Sequence, residues 1–115
     1  MLYIINYTTK SATGIISKEK LTARSHNLTD SARAQAAIKV DEKTINLFIQ
    51  INRVSPVVIN GHLILLAVAT NSKIDQQLPE LVVNKTEITI VEWPPVKLPD
   101  DLGTITLSVT VNPTL

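Results

Sequence analysis

The chain has no cysteine, which excludes disulfide frameworks, thiol catalysis and thiolate metal sites together. That absence fits a reducing compartment. Glycine is almost as scarce, occurring only at positions 14, 61 and 103, so no glycine-rich phosphate cradle can be built. Aromatic residues make up 3%, and Phe48, Trp93, Tyr3 and Tyr7 are the only large rings. Single-stranded nucleic acid would need stacking platforms that these few rings do not supply. A dominant charge is missing too: the net charge is +1, with basic residues scattered from Lys10 to Lys97. Neither nucleic acid nor an anionic membrane is therefore an expected partner. The longest apolar run, Leu63 to Ala69, is far too short to span a bilayer. Met1 to Asn6 lacks the basic start and long apolar stretch of a signal peptide. The expected location is the cytoplasm as the site of synthesis, with a place in a virion as the finer expectation.

What the chain does have is a β vocabulary. Ile, Val and Thr fill 38 of the 115 positions, and branched side chains suit a pleated, half-buried surface. The length allows one core and one domain, residues 1–115, with 8–31 as loops and short strands on that domain or as an extended arm. Mean hydropathy is +0.18, high for a small domain with much surface to cover. Part of that surplus either faces another subunit or fills a tight aliphatic core under short loops.

Pattern places the strands. Leu2 to Tyr7 suits a first strand. Ala32 to Val40 alternates like a strand, although its four alanines also favour a helix capped by Thr29, Asp30 or Ser31; the strand is preferred. After an Asp41-Glu42-Lys43 turn, Ile45, Leu47, Ile49 and Ile51 form one apolar face, and Phe48 falls on the polar side. An aromatic there is either covered by a loop or offered to a partner.

Pro56 should interrupt the ladder, and Asn60-Gly61 between Val57–Ile59 and Leu63–Ala69 predicts a type I′ hairpin turn. Both faces of those flanking runs are apolar, so they are expected to be central strands, or to offer one face as an interface. Asn71 to Glu80 reads as a polar connection with one helical turn at Ile74 and Leu78, stopped by Pro79. Leu81–Asn84 and Thr86–Glu92 read as short strands about an Asn84-Lys85 turn, and Trp93–Pro99 as irregular or extended. Asp100 to Gly103 is a turn, and Ile105, Leu107, Val109 and Val111 give the cleanest alternating strand. Seven to nine short strands around turns predict an all-β, antiparallel β-sandwich or small barrel.

The search for chemistry returns little. Dinucleotide, P-loop, nucleophile-elbow and zinc-protease patterns are absent. His62 is expected at an exposed hairpin tip, and His26 lies in the polar segment; nothing brings either to a serine and an acid. Asp41-Glu42 and Asp100-Asp101 sit in turns, where solvated carboxylates belong, and neither has the spacing of a calcium loop. The Asn-x-Thr triplets at Asn6, Asn27 and Asn84 are no more than a composition rich in both residues produces. No catalytic, cofactor or metal residue is nominated.

Two functional classes follow. The first is a non-enzymatic structural or assembly protein acting through contacts with other protein subunits, as a homo-oligomer or larger lattice. Its finer form is a small virion component, such as a capsid decoration or a tail or baseplate subunit. The second is a ligand-binding or adhesion module for carbohydrate or peptide, the peptide adding to the Ile105–Val111 strand if that strand lies at an edge. Partner contacts are expected first at Phe48, then Trp93, then Tyr3 and Tyr7. For Trp93 the alternative is a buried plug at the end of the sandwich.

Overall fold

A computed structural model of the chain describes residues 1–25 and 31–114. It is an all-β sandwich of two antiparallel sheets. One sheet runs β2 (Ile16–Arg24), β1 (Leu2–Ser11), β9 (Gly103–Asn112) and β7 (Thr89–Glu92), with β8 (Val96–Lys97) also paired to β9. The other runs β3 (Ala32–Val40), β4 (Lys43–Ser55), β5 (Val58–Ala67) and β6 (Ser72–Val82). Each strand sends alternate side chains inward, as the two-residue period requires. Ile45, Leu47, Ile49 and Ile51 from β4 and Ile105, Leu107, Val109 and Val111 from β9 are all buried in the shared core. β9 lies between β1 and the β7–β8 pair, so it offers no free edge for an added peptide. That edge-strand expectation is corrected.

The second sheet is a run of consecutive hairpins, and its turns are not where the Asn-Gly signal put them. Asn60 and Gly61 lie inside β5, paired to Asn52 and Ile51 of β4. A hairpin closed at Asn60-Gly61 would leave Val57–Ile59 as a three-residue arm. Turning instead at Pro56-Val57 gives an unbroken ladder from Ile45 to Arg53 and buries Leu63 and Leu65. Burying such side chains gains about 1.5–3 kcal/mol each, more than a turn preference provides. The two-residue turn with positive φ at both positions is Asp41-Glu42, at 47° and 65°, closing β3 on β4 through the Val40–Lys43 pair.

Three other polar segments take a definite form. Residues 8–25 extend β1 to Ser11, turn at Ala12–Gly14 and return as β2, paired along its length with β1. They form a hairpin of the sheet; His26, Asn27 and Leu28 lie outside the described residues. The Thr13 hydroxyl at its tip donates to Asp41 Oδ1 at 3.0 Å, tying the hairpin to the β3–β4 turn. The Asn71–Glu80 connection is in fact strand β6. Ile74 and Leu78 are four residues apart, a spacing that serves a helix or a strand alike, and pairing with β5 decides for the strand. Pro79 fits because it lies on an edge strand, where the register with β5 shifts between Ile59 and Gly61. Finally, β6 and β7 do not form a hairpin about Asn84-Lys85: that segment carries the chain from one sheet to the other.

Trp93 closes the core on this side. It is 1% exposed, and its indole N–H donates to the Pro79 carbonyl at 2.7 Å.

Candidate functional site

Exposure separates the four rings nominated by the sequence. Tyr3 is 1%, Tyr7 6% and Trp93 1% exposed, so all three are core residues. Burial pushes the Tyr3 and Tyr7 hydroxyls above the usual phenol range, opposed at Tyr3 by Arg53 and reinforced at Tyr7 by Glu19. The exposed ring is Phe48, at 39%. It stands on the outer face of β4, and among the described residues no strand or turn lies across it as a cover.

The register of the four-stranded sheet says what surrounds it. Side chains on the outer face fall in cross-strand rows, one row every second residue. One row is Gln35, Phe48, Ile64 and Asp75; the next toward the Asp41-Glu42 turn is Ala37, Asn46, Leu66 and Lys73. On the other side comes Arg33, Gln50, His62 and Gln77. The centre of the face is therefore apolar (Phe48, Ile64 and Leu66), on the two inner strands of the sheet. Ile64 and Leu66 are only half-buried. Continuous apolar character in Leu63–Ala69 was the sequence signal for this face, but which residues point outward depended on where the turn fell.

A polar frame holds the patch at one end. Arg33 Nε donates to Gln50 Oε1 at 3.1 Å, and Gln50 Nε2 donates to Asn52 Oδ1 at 2.8 Å. The Ser31 hydroxyl donates to the same Asn52 oxygen at 2.7 Å, while Asn52 Nδ2 donates to Asn60 Oδ1 at 2.9 Å. This chain of amides crosses three strands and fixes the side chains that border Phe48. His62 is mid-strand on this face, not at a hairpin tip, and its Nε2 meets Asp75 Oδ1. Hydrogen bonding to His62 holds the Asp75 carboxyl below the usual carboxylate range, with Lys73 Nζ adding a weaker attraction at 3.9 Å.

Between Phe48 and this frame lies an open hollow of about 420 Å³, bordered by Arg33, Gln35, Gln50, His62 and Ile64. A second hollow, about 390 Å³, lies on the other side of the ring against Gln35, Ala37 and Asn46. Phe48 is thus a knob between two depressions. No protein-family model, curated protein or solved structure matches this chain. The surface must be interpreted from its own chemistry.

That surface offers an apolar centre bordered by hydrogen-bonding side chains. Among the described residues no three His, Cys, Asp or Glu side chains converge as a metal site. No helix among them is long and apolar enough to cross a membrane. Asp41-Glu42 forms the β3–β4 turn and Asp100-Asp101 ends a single 3-10 turn at Pro99–Asp101, all four with positive φ. A third hollow, about 400 Å³, lies between β6 and the Pro94–Lys97 segment, with Gln76, Gln77 and Lys97 as its polar side chains. The remaining exposed aliphatic residues are more dispersed: Ile15 and Ile16 follow the β1–β2 tip, Val54 and Val57 lie about the β4–β5 turn, Val68 follows β5, Val82 ends β6, and Ile88 and Ile90 belong to the crossover and β7.

Proposed function

We propose that the chain is a non-enzymatic assembly subunit that works through protein–protein contacts on the outer face of the β3–β6 sheet. The observation that carries this reading is the grouping of Phe48, Ile64 and Leu66 at the centre of an uncovered sheet face. An apolar centre rimmed by amides and a few charges matches the anatomy of protein interfaces, in which aromatic side chains act as anchors. The finer proposal is a small virion component, a capsid decoration or a tail or baseplate subunit. What supports that part is the character of the chain: small, all-β, free of cysteine and without a nominated catalytic constellation.

The test is the solution mass of the purified chain by size-exclusion chromatography with light scattering, over a concentration series. A stable oligomer that Phe48→Arg disperses, without loss of thermal stability, supports the reading. A strict monomer argues against self-association.

The hollow beside Phe48 favours a second reading, a module binding carbohydrate or peptide in place of a subunit. A glycan and peptide array probed with the wild-type chain and with Phe48→Ala separates the two. Binding lost in the variant supports the second reading, and a blank array removes it.

A further inference from the structure

The geometry points to a second copy of this chain as the occupant of the Phe48 face, docked sheet to sheet about a two-fold axis that runs parallel to the strands between β4 and β5. This rests on the assembly reading above and names its partner. Three features of the face favour self-pairing over an unrelated partner. First, the register of the face allows it to pair with itself. A two-fold axis in that position lays β4 of each copy over β5 of the other, and Phe48 and Ile64 are direct cross-strand neighbours. Each Phe48 ring therefore lands on the partner copy's Ile64, and the same contact forms twice, as an isologous interface requires. The depressions on either side of Phe48 leave room for the incoming side chains.

Second, the charges correspond. The same axis lays β3 over the partner's β6. The outer positions of β3 carry Arg33 and Lys39 and no carboxylate, whereas β6 presents Asp75 with Lys73 beside it. Arg33 belongs to the row next to that of Asp75, so each guanidinium approaches the other copy's carboxylate. An axis perpendicular to the strands would instead lay β3 over β3 and bring cations to the same edge. Strand-parallel docking gives each Arg33 a carboxylate to approach, although it also brings Lys39 within a row of the other copy's Lys73.

Third, the area suffices. Four strands about 4.8 Å apart and roughly ten residues long at about 3.3 Å per residue offer ~600 Å² in projection. Two such faces bury about 1,200 Å² or more, within the range of specific protein interfaces.

The experiment is a charge-exchange cycle on the full chain, with self-association measured by sedimentation from about 1 to 200 µM. Arg33→Glu and Asp75→Arg are both on exposed side chains, and thermal melts of each variant verify that the fold is retained. Each single substitution should weaken dimerisation at least about tenfold, and the double variant should recover to within about threefold of wild type. Phe48→Ala should also weaken it about tenfold or more. Recovery in the double variant supports the pairing directly, because loss of structure cannot produce it. An oligomer indifferent to all of these changes overturns the sheet-face pairing and leaves assembly through another surface standing. A dimer that the single variants weaken and the double does not restore overturns the docking direction. A monomer across the whole range overturns both the pairing and self-assembly.

Discussion

Gly61 and Trp93 form a fitted pair: a Cβ placed on Gly61 would lie 3.3 Å from the indole Cζ2, 3.2 Å from the Gln50 carbonyl oxygen and 3.0 Å from Leu78 Cδ1. This glycine is in β5 because the strand must let a large ring approach its backbone, not because its φ is positive. The structure records positive φ for Gly14 and Gly103 only among the glycines.

Gly61→Ala should therefore destabilise the fold by about 1–3 kcal/mol through overpacking. Urea unfolding followed by far-ultraviolet circular dichroism would measure it. An unchanged midpoint would show that Leu78 and the indole move aside freely.

Trp93→Phe removes the donor to the Pro79 carbonyl and shrinks the ring over Gly61. The combined loss should be about 1–3 kcal/mol. In that background Gly61→Ala should cost less than in wild type, because the closest aromatic neighbour has retreated. Strict additivity across the four proteins would sever the proposed contact between the two residues.

Phe48→Ala should leave the unfolding free energy within about 0.5 kcal/mol of wild type while weakening association. Its neighbours on the outer face are half-buried or exposed, and no core contact depends on the ring. A monomeric variant with a clearly lowered melting temperature would reassign Phe48 to the core.

The buried tyrosine gives a pH prediction. Burial raises the Tyr3 hydroxyl above its ordinary value of 10.0, and Arg53 offsets part of this. The folded state therefore keeps its proton to higher pH than the unfolded state does. Stability from this residue is complete below pH 10 and is lost as pH rises through the folded value. Tyr3→Phe should flatten the alkaline limb of the stability curve, leaving the share due to Tyr7. Denaturant melts between about pH 8 and 11, with tyrosinate absorbance as a second readout, would show the flattening; identical slopes would contradict it.

Much of the fold could be read from alternation alone. Ile105 to Val111 and Ile45 to Ile51 sit on the buried faces that their period-two spacing required, and Ala32–Val40 is a strand despite its alanines. The errors came where one residue type serves two purposes. Asn60-Gly61 has the composition of a turn, yet its glycine answers to the Trp93 ring, a contact 32 residues away that local pattern cannot contain. Ile74 and Leu78 fit either period.

The candidate face was half legible. Phe48 announced itself by interrupting a polar row, while Tyr3, Tyr7 and Trp93 were nominated by size and proved to be core. The neighbours that make Phe48 interesting could not be assigned beforehand. Ile64, His62, Arg33 and Asp75 come together only through the cross-strand register, and the register followed from the turn at Pro56-Val57.

The two sheets differ in how far apart in sequence their partners lie. Every pairing in the β3–β6 sheet joins consecutive strands, so its ladders can close like a zip from short turns. The other sheet is organised around β1 and β9, where Leu2 pairs with Asn112 and Ser11 with Gly103. That ladder must bring together segments about a hundred residues apart, a slow search by the relation between topology and folding speed. In a chain emerging from the ribosome, the half that carries Phe48 is therefore complete while the half beneath it still waits for its central strand. During that interval the β3–β6 sheet stands with both faces bare, the inner one apolar along Ile45, Leu47, Ile49 and Ile51 and the outer one apolar at Phe48, Ile64 and Leu66.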